Sequence, residues 1–349
     1  MQAFLLKVSF FRIICPFPWT KAPGRDMLSS SKKGGDTMAE LQVTLEIMLP
    51  LLIMLLVGWL SRQSGLIRGE TASAMNKLIF RLFLPVLLFN NIRTMDVRSA
   101  PGPGFAAYLF LGVLSIWLLA QYLVPRFVHD PRKQGVMVQG IFRTNFAILG
   151  IPLMEAMFGQ SGMAAVTLAL PVVIPLNNVL AVVSLASCSG QKPSAKKLLR
   201  DILTNPLIVA SALGGLMLLL RIQLPSVVEK VCIQIGGIAS PLSLLVLGAS
   251  LRWQGVKDNR RELCWTVLLK QAVIPFVMLA LAVLLGFRNE ELGVMVILFG
   301  APVAVSSYPM AEVMGGDGPL AASQVVLTTI FSMGTLFVLI YLGKLLCVL

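Results

Sequence analysis

The stretch GIFRTNFAILGIPLMEAMFGQSGMAA, residues 140–165, decides the fold of this chain. It has the length of a membrane span, but Gly150 and Pro152 interrupt its centre, and Arg143 and Asn145 lie in its first half. Proline removes a backbone donor and clashes with the preceding turn, so we expect the helix to break or kink here. In lipid the freed backbone groups must be satisfied by protein or by cavity water. The stretch therefore predicts a buried or water-lined place inside the membrane.

A second interrupted stretch, AVSSYPMAEVMGGDGPLAA, occupies residues 304–322. At an offset of 157 residues, Pro152 matches Pro309 and Glu155 matches Glu312. Paired hydrophobic segments that Gly and Pro interrupt at corresponding places in two halves point to the binding site of a secondary transporter.

The composition excludes several classes of protein. Hydrophobic residues make up 56% of the chain, charged residues 13%, and the mean hydropathy is +0.83, whereas soluble domains carry about 25% charge. We therefore expect an all-α polytopic membrane protein. The net charge of +13 comes largely from short loops between apolar spans, so no nucleic-acid partner is expected.

Catalytic and metal-binding groups are scarce. Five cysteines occur without a CxxC pair, and the single histidine, His129, lies in a loop, so we expect no metal site and no cofactor. Intramembrane proteases need a Ser–His pair, paired aspartates or a zinc motif. None of these falls in a predicted span, so no enzyme is expected and no catalytic residue is assigned.

The apolar pattern predicts ten spans, each of about 20 residues. They are 41–60, 72–92, 103–124, 135–158, 162–188, 205–223, 234–251, 263–286, 291–314 and 319–347.

The spans form two halves. Pro50 and Gly58 in span one match Pro206 and Gly214 in span six at an offset of 156. Because each half has an odd number of spans, the second half must enter from the opposite side, which makes the repeats inverted. The expected domains are a tail at 1–37 (disordered or a non-native start), the first five-helix repeat at 38–188, a cytoplasmic linker at 189–204, and the second repeat at 205–349.

The loops set the orientation. Loops after odd-numbered spans hold 13 Lys and Arg residues, whereas the opposite face holds 6 when residues 1–37 are left out. Positive loops stay in the cytoplasm, so both termini are predicted to lie outside the cell (inner or plasma) membrane.

Charged side chains inside spans are the first candidates for function, since each costs roughly 2.5–3.5 kcal/mol at a helix centre. Arg143 and Lys270 lie deep in their spans; each either binds a ligand or pairs internally with a carboxylate or helix-end carbonyls. Glu155 and Glu312 follow the expected breaks. They are stabilised there by a helix dipole, or they are buried carboxyls with a raised pKa that couple transport to protons.

Uncharged polar residues give a second set of candidates. Asn145, Ser306 and Ser307 flank the expected breaks, while Asn177 and Asn178 lie in span five. A stripe on span ten either joins helices by hydrogen bonds or contributes to the site; it consists of Gln324, Thr328, Ser332 and Thr335. Two half-helix N-termini that meet near the midplane suit an anionic group. With two cations nearby, the expected ligand is a small carboxylate.

The segments RTNFAILGIPLMEAMFG, APVAVSSYPMAEVMGGD and SQVVLTTIFSMGTLFVL resemble the auxin efflux carrier family, especially its bacterial malonate-permease-like members. The resemblance covers about residues 38–349. Its more specific marks are the pattern from Asn145 to Pro152, the Ala301–Pro302 pair, and Lys270 with Pro275.

The resemblance implies ten transmembrane helices in two inverted five-helix repeats, with broken helices four and nine crossing at the midplane. That fold is similar to bile-acid symporters and sodium/proton antiporters, and it divides into a scaffold and a moving transport domain. The full set of predicted substrate-binding positions is Arg143, Asn145, Gly150, Pro152, Asn177, Asn178, Lys270, Pro302, Ser306, Ser307 and Pro309.

The function implied is secondary active transport of a small organic anion, such as malonate or malate, by alternating access. The expected partners are this carboxylate, membrane lipid, a proton or sodium as coupling ion, and a second copy in a homodimer. The long cytoplasmic loop of the plant carriers is absent, so auxin is not the expected substrate. The alternatives are a passive organic-anion channel, which needs a continuous polar lining, and a non-transporting membrane receptor.

Overall fold

A computed structural model of the chain describes residues 36–95, 102–186, 200 and 203–349, with side chains described from residue 45 onward except at positions 147 and 253. Residues 38–349 form one compact unit, which contains nearly all of the described residues. The predicted tail lies almost wholly outside the described residues, and so does most of the predicted linker at 189–204. Every regular element in the described ranges is helical.

The helices are numbered here in chain order. They are α1 (Asp36–Gln63), α2 (Gly69–Arg93), α3 (Pro103–Phe127), α4 (Pro131–Phe142), α5 (Phe146–Ala186), α6 (Pro206–Leu219), α7 (Ser226–Ser250), α8 (Trp253–Asp258), α9 (Arg260–Leu284), α10 (Asn289–Gly300), α11 (Ser307–Val313) and α12 (Gly318–Leu345). Among the described residues, seven are long and apolar enough to cross a membrane, namely α1, α2, α3, α5, α7, α9 and α12. The chain is therefore a multi-pass membrane protein.

Predicted span four is interrupted, but not where its Gly and Pro predicted. Helix α4 ends at Phe142 and α5 begins at Phe146, so the first break is Arg143–Asn145. Asn is a favoured residue immediately before a helix, and this position suits Asn145. Gly150 and Pro152 instead lie inside α5, which tolerates a proline because membrane helices re-satisfy the freed carbonyl locally.

Helix α5 is a hairpin of two arms. Gly159 has φ 61° and ψ −135°, which separates residues 146–158 from residues 160–186; this left-handed φ favours glycine. A Cβ built on Gly162 would lie 2.2 Å from the carbonyl oxygen of Met154, and one on Gly150 would lie 2.9 Å from Cγ2 of Val166. The second arm therefore runs back along the first, and Gly150 permits close packing rather than a break.

Predicted span nine is interrupted between α10 and α11, at Ala301–Ser306. Ala301 has φ −67° and ψ 154°, the extended conformation that a residue before proline prefers. The break therefore begins at the Ala301–Pro302 pair. Pro309, which was also expected to break the helix, is the third residue of α11. The first N–H groups of a helix have no intrahelical acceptor, so proline is tolerated there.

In the described part of the chain, two π-helical segments precede prolines. They are Ile79–Phe83 in α2, followed by Pro85, and Leu269–Val273 in α9, followed by Pro275. Proline cannot donate to the carbonyl four residues earlier. For Pro275 this is the carbonyl of Gln271, which instead accepts a hydrogen bond of 2.9 Å from Oγ1 of Thr335.

The helices pack as two groups. In the first, which we call the glycine-packed group, α2 packs on α6 and α7, and α1 approaches α7 so closely that a Cβ on Gly58 would lie 2.1 Å from the carbonyl oxygen of Leu245. Small residues allow such approach between membrane helices. The second, the crossing group, contains α3, α4, α5, α9, α10, α11 and α12. The groups meet where α5 contacts α6, where α11 contacts α2 and where α12 contacts α7.

Candidate functional site

The two breaks lie directly against each other. The backbone N–H of Asn145 donates to the carbonyl oxygen of Pro302 at 2.8 Å, and the N–H of Val303 donates to Oγ1 of Thr328 at 3.1 Å. Irregular backbone is stable at membrane depth only where protein or a cavity satisfies it. The second break therefore supplies an acceptor for the N–H of Asn145, and the first break supplies a donor for the carbonyl of Pro302.

A cavity of about 90 Å³ lies at this meeting point. The crossing group contributes both breaks and the two arms of α5, whereas the glycine-packed group contributes α2, α6 and α7. The lining residues are Leu84, Leu87, Leu88, Asn91, Arg143, Thr144, Asn145, Phe146, Ile148, Val173, Ile174, Asn177, Asn178, Leu207, Ser240, Ser243, Ala304, Val305 and Ser306.

Arg143 is the charged group of the cavity. It is 3% exposed, and its Nη2 donates to Oδ1 of Asn178 and to Oγ of Ser306, each at 2.9 Å. Its Nη1 lies 2.8 Å from the sulfur of Met310. Within the described ranges no carboxylate pairs with this guanidinium. A buried charge without a counter-ion is costly, so the cavity favours the entry of an anion.

Further polar atoms around Arg143 have no partner. Nδ2 of Asn145, Oδ1 of Asn177 and Oγ1 of Thr144 are buried and make no hydrogen bond in the described structure. Each such atom costs about 1–3 kcal/mol when left unsatisfied. The amide of Asn145 and the hydroxyl of Thr144 can donate to an anion, so the cavity holds hydrogen-bonding capacity that the protein itself does not use.

The structure brings five of the predicted substrate-binding residues to the cavity, and their binding role remains a prediction. They are Arg143, Asn145, Asn177, Asn178 and Ser306. The other six do not line it; they are Gly150, Pro152, Lys270, Pro302, Ser307 and Pro309.

The sequence reasoning missed four polar lining residues, namely Asn91, Thr144, Ser240 and Ser243. Ser240 and Ser243 are three residues apart in an otherwise apolar helix, a spacing that places both on one face. This spacing in the sequence could have identified both serines as candidates. Thr144 could have been included because it lies between two candidates.

The polar stripe of α12 joins helices. Nε2 of Gln324 donates to Oγ1 of Thr266 in α9 at 3.1 Å, Thr328 accepts from the second break, and Thr335 donates to the carbonyl of Gln271. None of the stripe residues lines the cavity. Of the two alternatives for this stripe, the structure supports helix-to-helix hydrogen bonding.

The two glutamates differ from expectation in position and burial. Glu155 is the tenth residue of α5 and Glu312 the sixth of α11, so neither is in a first helical turn, and both are exposed. Oε2 of Glu312 lies 2.1 Å from where a Cβ on Gly318 would be, against the N-terminus of α12. A carboxylate is stabilised there by the dipole of α12. The burial assumed for proton coupling is absent at both.

The profile of the family described as "Membrane transport protein" matches residues 43–185 and 190–340. The chain belongs to this family. Membership confirms the resemblance to auxin efflux carriers and gives the chain a role in membrane transport.

Three relatives illustrate the similarity. "Uncharacterized transporter MJ1031" of Methanocaldococcus jannaschii is 24% identical over 307 residues, covering 83% of this chain and 96% of the relative. A protein of Rhizobium meliloti with the name "Putative malonate transporter" is 23% identical over 306 residues, covering 85% and 94%. "Uncharacterized transporter YfdV" of Escherichia coli is 21% identical over 275 residues, covering 76% and 86%.

Proposed function

We propose that this membrane transport protein is a secondary active transporter that carries a small organic anion by alternating access at the meeting point of its two breaks. The observation that carries the proposal is Arg143, a buried guanidinium with no counter-ion among the described residues, placed in a cavity beside unpartnered hydrogen-bond donors. A carboxylate is the acceptor that matches a guanidinium in charge and in planar geometry.

The size of the cavity supports a small substrate. A water-sized group needs roughly 10–15 Å³, so about 90 Å³ holds about six to nine such groups. Malonate and malate are of this size. One carboxylate would pair with Arg143, and the amide of Asn145 offers a donor for further oxygens. The name of the Rhizobium relative agrees with this substrate class.

The proposed architecture has ten spans in two inverted repeats. In it, α4 with the first arm of α5 forms span four, and α10 with α11 forms span nine. The glycine-packed group would be the scaffold and the crossing group the moving transport domain. The cavity lies on the boundary between these groups, so sliding one against the other would expose it first to one side of the membrane and then to the other. The orientation with both termini outside and a homodimeric assembly belong to the same proposal.

The test is uptake of radiolabelled malonate and malate into proteoliposomes, comparing wild type with Arg143→Ala and Arg143→Lys. Removing the buried cation is expected to weaken anion binding by about 2–5 kcal/mol, which is roughly 30-fold to several thousand-fold. Lys retains the charge but not the fork of donors, so it is expected to be intermediate.

The matched control is Arg126→Ala, which removes an exposed arginine at the end of α3 and is expected to transport as wild type does. Arg143→Ala protein that elutes as a folded species and still transports at the wild-type rate would contradict the proposed site.

A further inference from the structure

Lys270 is a second buried cation, and it lies outside the anion cavity. Its side chain is 1% exposed, which places it among the largest fully buried side chains of the described residues. It belongs to the π-helical segment of α9, and it does not line the cavity around Arg143. Single π turns inside α-helices occur frequently at functional sites.

The ammonium of Lys270 has no hydrogen-bond or ion-pair partner among the described residues. The segment around it packs on α4, α10 and α12. The side chains that these three helices bury are all uncharged. In α4 they are Gly135–Phe142, in α10 they are Leu292–Gly300, and in α12 the polar ones include Gln324, Thr328 and Ser332.

Other titratable or charged groups of these helices and of α9 lie toward helix ends. They are Arg132, Lys133, Arg260, Arg261, Glu262, Cys264, Glu290, Glu291, Tyr341 and Lys344. Glu262 is already paired with Lys133 at 3.2 Å. Lys270 is the eleventh residue of α9, and with a rise of about 1.5 Å per residue the middle of that helix is more than 10 Å from its ends. No carboxylate of these helices is therefore placed to neutralise Lys270.

The chemistry of lysine differs from that of arginine at this point. A guanidinium keeps its proton in proteins, whereas a lysine can give up its proton and so escape the cost of a buried, unpartnered charge. The two exposed glutamates lack this burial. Among the described residues of the crossing group, Lys270 is the deeply buried amine that can exchange a proton.

We propose that Lys270 carries the proton that is coupled to anion transport, as a site separate from the anion site at Arg143. The inference rests on the proposed function. The step is R–NH₃⁺ ⇌ R–NH₂ + H⁺, with the proton taken from water on one side of the membrane and released to water on the other. Anion and proton move together, because a carboxylate entering at Arg143 adds negative charge that protonation of Lys270 offsets.

The transport test uses malonate as the probe in proteoliposomes with a trapped pH-sensitive dye. Wild type is expected to accumulate malonate when the outside is acidic and to acidify the lumen. Lys270→Arg carries a fixed charge, so it is expected to lose this pH-driven accumulation while retaining malonate exchange without a gradient. A purely structural role would let arginine restore both activities. The matched control is Lys230→Arg, at an exposed lysine of α7, which is expected to behave as wild type.

A second measurement needs no substrate. Proton uptake of the detergent-solubilised protein, titrated across the neutral range, is expected to be one proton larger for wild type than for Lys270→Arg. Equal uptake by the two proteins would overturn the proposal, and so would wild-type pH-driven accumulation by Lys270→Arg. The anion site is judged separately, by malonate exchange in Arg143→Ala.

Discussion

The two breaks perform different tasks, although they occupy corresponding places in the two halves. The first, Arg143–Asn145, contains no proline and supplies three polar side chains to the cavity. The second, Ala301–Ser306, contains Pro302 and supplies one polar side chain, Ser306, while its backbone accepts from Asn145 and donates to Thr328. The second break, which supports the site, contains a proline. The first break, which holds the charged Arg143, contains none.

This difference predicts that changes around the first break alter anion binding most strongly. Asn178→Asp places a carboxylate where an amide oxygen now lies 2.9 Å from Nη2 of Arg143. An internal ion pair would then replace the anion, because the guanidinium gains a permanent buried partner. We expect malonate binding, measured by calorimetry in detergent, to fall on the order of 100-fold or more, comparable to about 3 kcal/mol.

For Asn178→Asp the melting temperature is expected to be maintained, since the new charge is paired. Asn289→Asp adds the same charge at an exposed position and serves as the control. Unchanged malonate affinity in folded Asn178→Asp protein would show that Arg143 does not receive the anion, and the contrast between the breaks would disappear.

Changes that affect the second break are expected to act on stability. Thr328→Val removes the hydroxyl that accepts from the N–H of Val303 at 3.1 Å and leaves that buried donor unpaired. The expected cost is about 1–3 kcal/mol. The apparent melting temperature in detergent should therefore fall by several degrees, at roughly 2–4 °C per kcal/mol.

Thr328→Ser keeps the hydroxyl and should melt close to wild type. If Thr328→Val instead weakened malonate binding with no loss of stability, the second break would be part of the binding site in its own right.

The smallest effect is expected at Glu155, which lies on the first arm of α5 beyond the first break and is exposed. Glu155→Gln should change malonate uptake, and its response to a pH gradient, by less than about 2-fold, because surface substitutions usually change free energies by no more than about 0.5 kcal/mol. Malonate uptake at several external pH values measures both the rate and its response to the gradient. A loss of gradient dependence would return the coupling role to Glu155 and remove it from Lys270.

Much of the fold was predictable, since hydropathy and span length report directly on the membrane. The interrupted segments were also found correctly, but their break points were not. Pro152 and Pro309 lie inside helices, because a proline is compatible with the first turns of a helix and with a membrane helix whose neighbours satisfy the freed carbonyl. The position of a break depends on what caps the helix and what satisfies the exposed backbone groups. Here the other break satisfies Asn145 and Pro302, and Thr328 of α12 satisfies Val303.

The candidate site was also predictable only in part. Arg143, Asn145 and Asn178 were identified from their polarity inside apolar spans, and the structure places them together. Lys270 is likewise a charged residue in the middle of an apolar span, yet it does not line the cavity. A charged residue at such a position predicts burial, but it does not predict which residues surround it. Which cavity it faces depends on helix rotation, and here the π turn before Pro275 contributes to that rotation.

The amino-acid sequence by itself determined that this is a helical membrane protein of a transport family with two interrupted segments, because apolar length, loop charge and family motifs are local properties of the chain. Only the tertiary structure decided that the two breaks share a hydrogen bond, that Arg143 lies in the cavity with no carboxylate of the described ranges beside it, and that Glu155 and Glu312 are exposed. Those facts depend on contacts between residues more than a hundred positions apart, such as Asn145 with Pro302, and no local pattern encodes which distant atoms will meet.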